Sequence, residues 1–371
     1  MIVKIFDRVV TEIVSIKIEN NYDSMASLFE LRAYFNPDSK KHKELYKPMK
    51  YKPITISEGN FRLLTGTILN HKFSSDSKTH PMTITGYSQT GVFEDCKADP
   101  GLPLQFDGLT LFEIVKKIVN YYNLEVVSPS DPEVLARINL PFSEITQDSD
   151  ITLKEYMSKL ASERGVYISH DRLGRVTFSR LNIKKSRVAY RYDISERVLP
   201  KLKEINELPG DPIEEISKGK ISMELGVDGQ QQHEFIHMRG QQSVEGGDNG
   251  VEGEISNPLV SIFRRTTVTQ ESGDENDLTY ALQNELGKEI KNIELTIKLN
   301  RFTWNYGGLE DDLIVPNTMI TVRNPEIYLY NTTLFFVRSV IFTEDAKGKT
   351  ATVHCVLPGS FAGTDITNPF E

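Results

Sequence analysis

The sequence predicts a β-rich α+β chain: strand-forming segments at both ends and a compact α+β insert between them. Three observations carry this. Over residues 1–90 apolar residues alternate with polar ones, as at Val14, Ile16 and Ile18, which is the period of a pleated surface with one buried face. Between residues 109 and 180 the period changes to that of a helix, and two helix starts share one pattern, Thr110-Leu111-Phe112-Glu113 and Thr152-Leu153-Lys154-Glu155. From about Ile221 to Leu357 the alternation returns.

Taken in order, Leu28–Phe35, Pro53–Ser57, Phe61–Phe73 and Met82–Tyr87 read as strands, with Asp38–Tyr51 as a charged loop and Ser74–His80 as a polar turn. Together they suggest a small β-barrel or sandwich. In the insert, Thr110 is placed to cap a helix whose third residue is Glu113, a capping box. Leu111, Ile114, Val115, Ile118, Val119 and Tyr122 then form one apolar face, and Asn123 closes the helix. Leu124–Val127 leave as a strand. A second helix buries Leu153, Tyr156, Met157, Leu160 and Ala161 and stops at Gly165; Val166–Ser169 and Arg175–Ser179 follow as a hairpin around Asp171–Gly174. Pro200, Pro209, Gly210 and Pro212 mark an extended connector.

Beyond it, Ile221–Gly226, Glu234–Met238, Arg264–Thr269, Ile293–Leu299, Met319–Val322, Leu334–Phe342 and Lys349–Leu357 read as strands. Leu278, Leu282, Leu286 and Ile290 define a helix over about 276–291, and Ser243–Asn257 is a Gly- and acid-rich loop. A weak internal repeat relates Phe61–Ser88 to Leu334–Gly359. The expected division is 1–100, a first β-barrel; 101–182, the α+β insert; 183–220, the connector; 221–358, a second β-barrel with one helix; and 359–371, a C-terminal tail.

The chain has 371 residues with 39% apolar and 9% aromatic content, enough for packed cores and too much for a disordered chain. It lacks a run of 18 apolar residues, so no spanning helix and no stable membrane insertion are expected. The N-terminal stretch carries Asp7 and Glu12 and alternates, unlike a signal peptide, so folding in a cytoplasm is expected. Cys96 and Cys355 are too few for a disulfide framework and read as reduced thiols. A formal charge of −9 argues against a dedicated nucleic-acid binder. A local basic cluster, Lys40, Lys41, His42, Lys43, Lys47, Lys50 and Lys52, reads either as a solvated loop or as a phosphate site.

His233-Glu234-Phe235-Ile236-His237 matches H-E-x-x-H. That zinc-peptidase chemistry needs a helix, so that histidines four apart share one face. Here Gly226, Gly229 and Gly240 flank the segment, three glutamines precede it, and it reads as a strand between turns. His71, His80, His170 and His354 have no ligand spacing, Asp311–Asp312 read as solvated turn carboxylates, and no nucleotide-binding glycine loop is present. No catalytic, metal or cofactor residue is assigned, and no cofactor is expected. Trp304 reads as an interface anchor or as core packing.

The order strand, polar connection, capped helix, strand is carried by GYSQTGVFEDC (Gly86–Cys96) and LTLFEIVKKIVNYYNLEV (Leu109–Val126), with an echo in YMSKLASERGVYISHDRLGRVTFSR (Tyr156–Arg180). It resembles the baseplate hub proteins of contractile-tailed phages: the Mu-like hub and late control protein D group, related to the hub part of type VI spike proteins. None of these segments is a catalytic signature. The resemblance implies two related tube-forming β-barrels per subunit and a non-enzymatic homotrimeric ring. Its implied partners are a tail tube or tube-initiator protein, a spike protein and baseplate wedge proteins, with DNA only in passage through the lumen. It implies a place in the virion tail baseplate after assembly in the bacterial host cytoplasm. Two alternatives stand beside it: the hub of a bacterial contractile injection or type VI-like system, and a peptidoglycan-binding or cell-wall-degrading tail component. The insert also resembles LysM-type modules, with Phe112 and Tyr121 as the aromatics available for sugar stacking.

Overall fold

The computed structural model describes the chain apart from residues 76–79, 100, 104, 143–149, 184–185, 187, 195–220, 241–251, 271–274, 305–312 and 364–365. Asp311–Asp312, the Pro200–Pro212 part of the connector and most of the Gly- and acid-rich loop lie outside the described residues. The N-terminal strands are β1 (Ile2–Ile5), β2 (Arg8–Val10), β3 (Ile13–Asn21), β4 (Leu28–Tyr34), β5 (Pro53–Glu58), β6 (Phe61–Phe73) and β7 (Pro81–Ser88). The insert carries β8 (Tyr167–His170) and β9 (Val176–Ser179), and β10 (Val188–Asp193) follows it. The C-terminal strands are β11 (Ile221–Val227), β12 (Phe235–Gly240), β13 (Glu252–Ser256), β14 (Arg265–Gln270), β15 (Ile293–Leu299), β16 (Met319–Asn324), β17 (Leu329–Asp345) and β18 (Gly348–Val356).

Strands from both ends of the chain form one 13-stranded sheet, joined where β3 pairs antiparallel with β17. On either side of that joint the same strand order recurs. The N-terminal half runs β1-β5-β6-β7-β4-β3 and the C-terminal half β10-β16-β17-β18-β15-β11. The registers recur as well. Pro53 faces Thr67 as Met319 faces Phe336, and Ile54 faces Gly66 as Ile320 faces Phe335. A one-residue bulge sits at Leu69 in the β6–β7 ladder and at Arg338 in the β17–β18 ladder. Just before each bulge a backbone N–H leaves the hairpin in the same way, Ile68 to Lys52 O at 2.9 Å and Val337 to Thr318 O at 2.8 Å. The hairpins β6–β7 and β17–β18 are the segments of the internal repeat. One difference stands out: β1 is antiparallel to β5, whereas β10 is parallel to β16.

Alternation dictates which faces are buried. Ile16, Ile18, Leu31, Ile84, Ile297, Val340, Phe342 and Val353 lie in one continuous core that spans both halves. A separate three-stranded sheet, β13-β12-β14, packs under the helix Glu275–Ile290, whose Leu278, Leu282 and Leu286 are buried. Here Gly253 lets the helix approach closely: a Cβ would meet the terminal methyls of Leu278 and Leu282 at 2.9 Å, and those side chains would have to shift. Segment 183–220, read as a connector with little core of its own, supplies β10. Its Tyr190 stacks on Trp304 at 5.7 Å between ring centroids, and both rings are buried.

The insert has its own apolar core. Both capping boxes form: Thr110 and Glu113 open the helix Leu111–Tyr121, and Thr152 and Glu155 open Leu153–Glu163. Asn123 and Gly165 adopt the left-handed conformation after these helices. A third helix, Pro132–Ile138, capped by Asp131 with Pro at its first turn, was not read from the sequence. Its apolar residues are too few to display a period, although Asp-Pro is a start signal. Leu124–Val127 form no full strand, only the bridge from Val126 to Val176.

Thr110→Ala removes the acceptor for the Glu113 N–H and is expected to cost about 1 kcal/mol. Ile118→Asp places a charge in a fully buried position and is expected to cost roughly 3 kcal/mol or more. Because the insert core is distinct from that of the large sheet, the mutant should lose insert protection while keeping most β-sheet circular dichroism. A single cooperative loss of all structure would contradict that separation.

Candidate functional site

Residues 22–27, the turn between β3 and β4, hold the parts of the molecule together. Tyr22 meets Phe336 at 5.0 Å and Phe361 at 4.9 Å in edge-to-face contacts, and its hydroxyl is 2.8 Å from Ser179 Oγ of the insert hairpin. Asp23 accepts from Lys291 Nζ at 3.1 Å and from Arg338 Nε at 3.1 Å. Arg338 is the bulged residue of β17, and a bulge re-aims its side chain off the ladder. Burial alone would raise the Asp23 carboxyl, but the two cations outweigh it and hold the group below its ordinary value. Met25 inserts into the core of the insert, and Ser24 Oγ donates to Glu94 at 2.9 Å.

His170 completes the attachment. Ser24 O can only accept, so the Nδ1 at 3.0 Å carries the proton, and Nε2 accepts from the Ser27 hydroxyl at 2.6 Å. Burial pushes this imidazole below its ordinary value, against the pull of the Ser24 carbonyl, Asp171 and Glu94. Burial therefore favours the neutral ring, with Nδ1 donating and Nε2 accepting.

The H-E-x-x-H segment is extended, as its glycines and glutamines predict. His233 lies before β12 and contacts Glu289 Oε1 through Nδ1 at 2.7 Å, while His237, on β12, lies 3.6 Å from Glu252 on β13. The two rings address different carboxylates. Trp304 is core packing, with 1% of its surface exposed. Phe112 packs toward Phe178 at 6.1 Å, whereas Tyr121 is exposed and donates to Asp99 at 2.6 Å. Nine residues apart on a 3.6-residue turn, they point to opposite sides of the helix, so they do not form one stacking platform.

The basic cluster is a folded loop with the short helix Lys40–Leu45 in it. His42 is buried and 3.1 Å from Glu12, and Lys52 donates back to Leu45 O at 3.0 Å. Lys40, Lys41, Lys43, Lys47 and Lys50 remain exposed beside exposed Phe6, Met49 and Tyr51, all three at positive φ. Cys96 is half-buried and Cys355 is buried, both free thiols; burial pushes the Cys355 thiol up. His71 lies on β6, His80 precedes β7, and His354 on β18 is 2.8 Å from Glu294.

Among the strand edges left open in the described residues, two belong to equivalent places in the doubled sheet order. Among the described residues β11 pairs only with β15, and β6 beyond Ile68 pairs only with β7. Each carries exposed apolar surface, Val227 on β11 and Phe73 on β6. Unpaired edges are ready templates for another strand, and reading strands one at a time does not reveal them.

No family model and no curated protein matches the chain. Solved structures do match, over its whole length. The 43 kDa tail protein of prophage MuSo2 from Shewanella oneidensis is 18% identical with a TM-score of 0.77, covering 97% of this chain and 99% of that one. A tail protein from Neisseria meningitidis MC58 is 14% identical with a TM-score of 0.74, covering 98% and 97%. The Escherichia coli c3393 protein is described as a type VI secretion component with structural similarity to the T4 tail proteins gp27 and gp5. It is 9% identical with a TM-score of 0.54, covering 96% of this chain and 76% of that one. The chain therefore has the fold of phage tail proteins, shared with a type VI secretion component, as the Gly86–Cys96 and Leu109–Val126 segments implied.

Asp23→Asn removes the carboxylate that bridges Lys291 and Arg338 and is expected to destabilise by roughly 2 kcal/mol, measured by urea unfolding. Since the folded Asp23 value is depressed, its contribution is complete above the unfolded value of 3.8 and lost as pH falls through the folded one. His170 has the opposite protonation logic with the same outcome. Its folded value lies below 6.5, so stability falls as pH drops under 6.5 and levels off below the folded value. Amide exchange in β8 and β9 should accelerate over that window in the wild type; exchange rates unchanged after correction for intrinsic pH effects would contradict the neutral-ring attachment.

Proposed function

We propose that this protein is the structural hub of a contractile-tail baseplate. Three copies form a ring that joins the tail tube, or its initiator, to a membrane-piercing spike and leaves a channel for DNA. The observation that carries the proposal is the end-to-end match to two phage tail proteins. The doubled strand order supports it. Two equivalent halves per chain give a threefold ring six similar units, rolled as two β-barrels per subunit, so that it can seat on a hexameric tube. The role is geometric and non-enzymatic. An excess of 52 acidic over 43 basic residues suits a passage through which phosphates move without sticking. Spike and wedge proteins are the remaining partners, and the place of work is the virion tail after assembly in the host cytoplasm. The chain divides as 1–100, 101–182, 183–220, 221–358 and 359–371.

The match to c3393 supports a second reading, the hub of a type VI-like injection apparatus. Isolation of assembled particles separates the two: the phage reading requires the protein in particles that also hold capsid and DNA.

Light scattering across a concentration series should give the mass of three chains, and negative-stain images should show rings with a central opening. A monomer at tens of micromolar, alone and with its tail partners added, would overturn the hub reading.

A further inference from the structure

The joint between β3 and β17 inside one chain is also a template for a joint between chains. By strand order and register, β3 of the N-terminal half is equivalent to β11 of the C-terminal half, and β17 is equivalent to β6. Within the chain, β3 lays its outer edge on β17 just past the bulge at Arg338, with Val340 facing Asn20, Ile341 facing Glu19 and Phe342 facing Ile18. The equivalent edges, the outer side of β11 and β6 just past the bulge at Leu69, have no partner strand among the described residues.

Resting on the hub reading above, we propose that β11 of one copy pairs antiparallel with the end of β6 of the next copy, in the register of the β3–β17 joint. The ladders fix that register. Glu19 faces Leu28 as Gly226 faces Glu294, and Leu28 faces Tyr87 as Glu294 faces Val356. Thus Glu19 corresponds to Gly226, Ile18 to Leu225 and Asn20 to Val227. On the other strand, Val340, Ile341 and Phe342 correspond to His71, Lys72 and Phe73. Between copies, His71 faces Val227, Lys72 faces Gly226, and Phe73 faces Leu225.

Burial and charge agree with this register. Phe342 is fully buried under β3, whereas its equivalent Phe73 is 42% exposed. Ile16 and Ile18 are buried, whereas their equivalents Met223 and Leu225 are half-buried at the open edge. Pairing places Phe73 and His71 against Leu225 and Val227 on the core face. On the other face Lys72 falls between Glu224 and Asp228, which flank Gly226 on the same side of the strand. A slip of one residue would set Phe73 among the acids and Lys72 among the apolar residues. The contact uses different surfaces on its two sides, so it is heterologous and propagates head to tail until the ring closes.

The test is a cysteine pair at Lys72 and Gly226 in a Cys96→Ser background. Gly226 tolerates a side chain, since a Cβ there meets only Glu294 O at 3.9 Å. Mild oxidation of assembled protein should give covalent trimers on a non-reducing gel. The slipped pair at Lys72 and Val227, whose side chains point to opposite faces, should give none. Lys72→Glu should raise the concentration for half-assembly at least about tenfold, and adding Glu224→Lys should restore most of it. Both sites are exposed, so circular dichroism should be unchanged. Rings of three chains that neither cross-link at Lys72–Gly226 nor respond to Lys72→Glu would overturn this joint and leave the hub reading standing. Protein that stays monomeric under all conditions removes both.

Discussion

The antiparallel pairing of β3 with β17 is the constraint on which the rest of the molecule depends. It unites residues from opposite ends of the chain, Ile16–Asn21 with Ser339–Glu344, into one hydrogen-bonded ladder. Contacts between such distant segments carry a large loop-closure cost, and the structure offsets it with buried apolar area. Ile18 and Phe342 face one another in a shared core, so the two halves cannot part without exposing both. Near the far end of the ladder the Met1 amino group pairs with Glu58 and Glu344, and Lys349 pairs with Glu58, tying β1, β5, β17 and β18.

The turn that follows β3 extends this constraint to the insert. Within six residues Tyr22 packs on β17 and on Phe361 of the short helix Gly359–Ala362, Asp23 neutralises two cations, Met25 enters the insert core, and Ser24 and Ser27 hold His170. The insert keeps a core of its own and is seated on this turn and also on the helix Glu275–Ile290, where Asn284 donates to Ser162 Oγ at 2.6 Å and Tyr280 lies 4.9 Å from the Arg137 guanidinium.

The fold was legible where side-chain period and burial coincide. Leu111 to Val119 announced a helix because its apolar face is wholly buried, and Thr110 and Glu113 announced its start. Ile293–Leu299 was visible as a strand because alternate residues are buried along its whole length. The joint was not legible, because nothing in the local pattern of Ile13–Asn21 tells whether its partner is the next strand or one three hundred residues away. Nor was the helix Pro132–Ile138, which buries only Val134 and Ile138. Trp304 was ambiguous because an aromatic among glycines suits either a surface anchor or a core; Tyr190, on a segment with no visible core signal, decides for the core. The open edges of β11 and β6 could not be read at all, since openness is a property of the sheet order and not of either strand.

We propose one kind of joint used twice, inside each chain and between chains. Amide hydrogen exchange on dissociated and assembled protein tests it most directly. Outward-facing amides of β3 should be protected in both states, whereas those of β11 and of β6 beyond Ile68 should exchange fast in the monomer and become protected on assembly. Assembled rings in which β11 and the end of β6 still exchange at the monomer rate would contradict it.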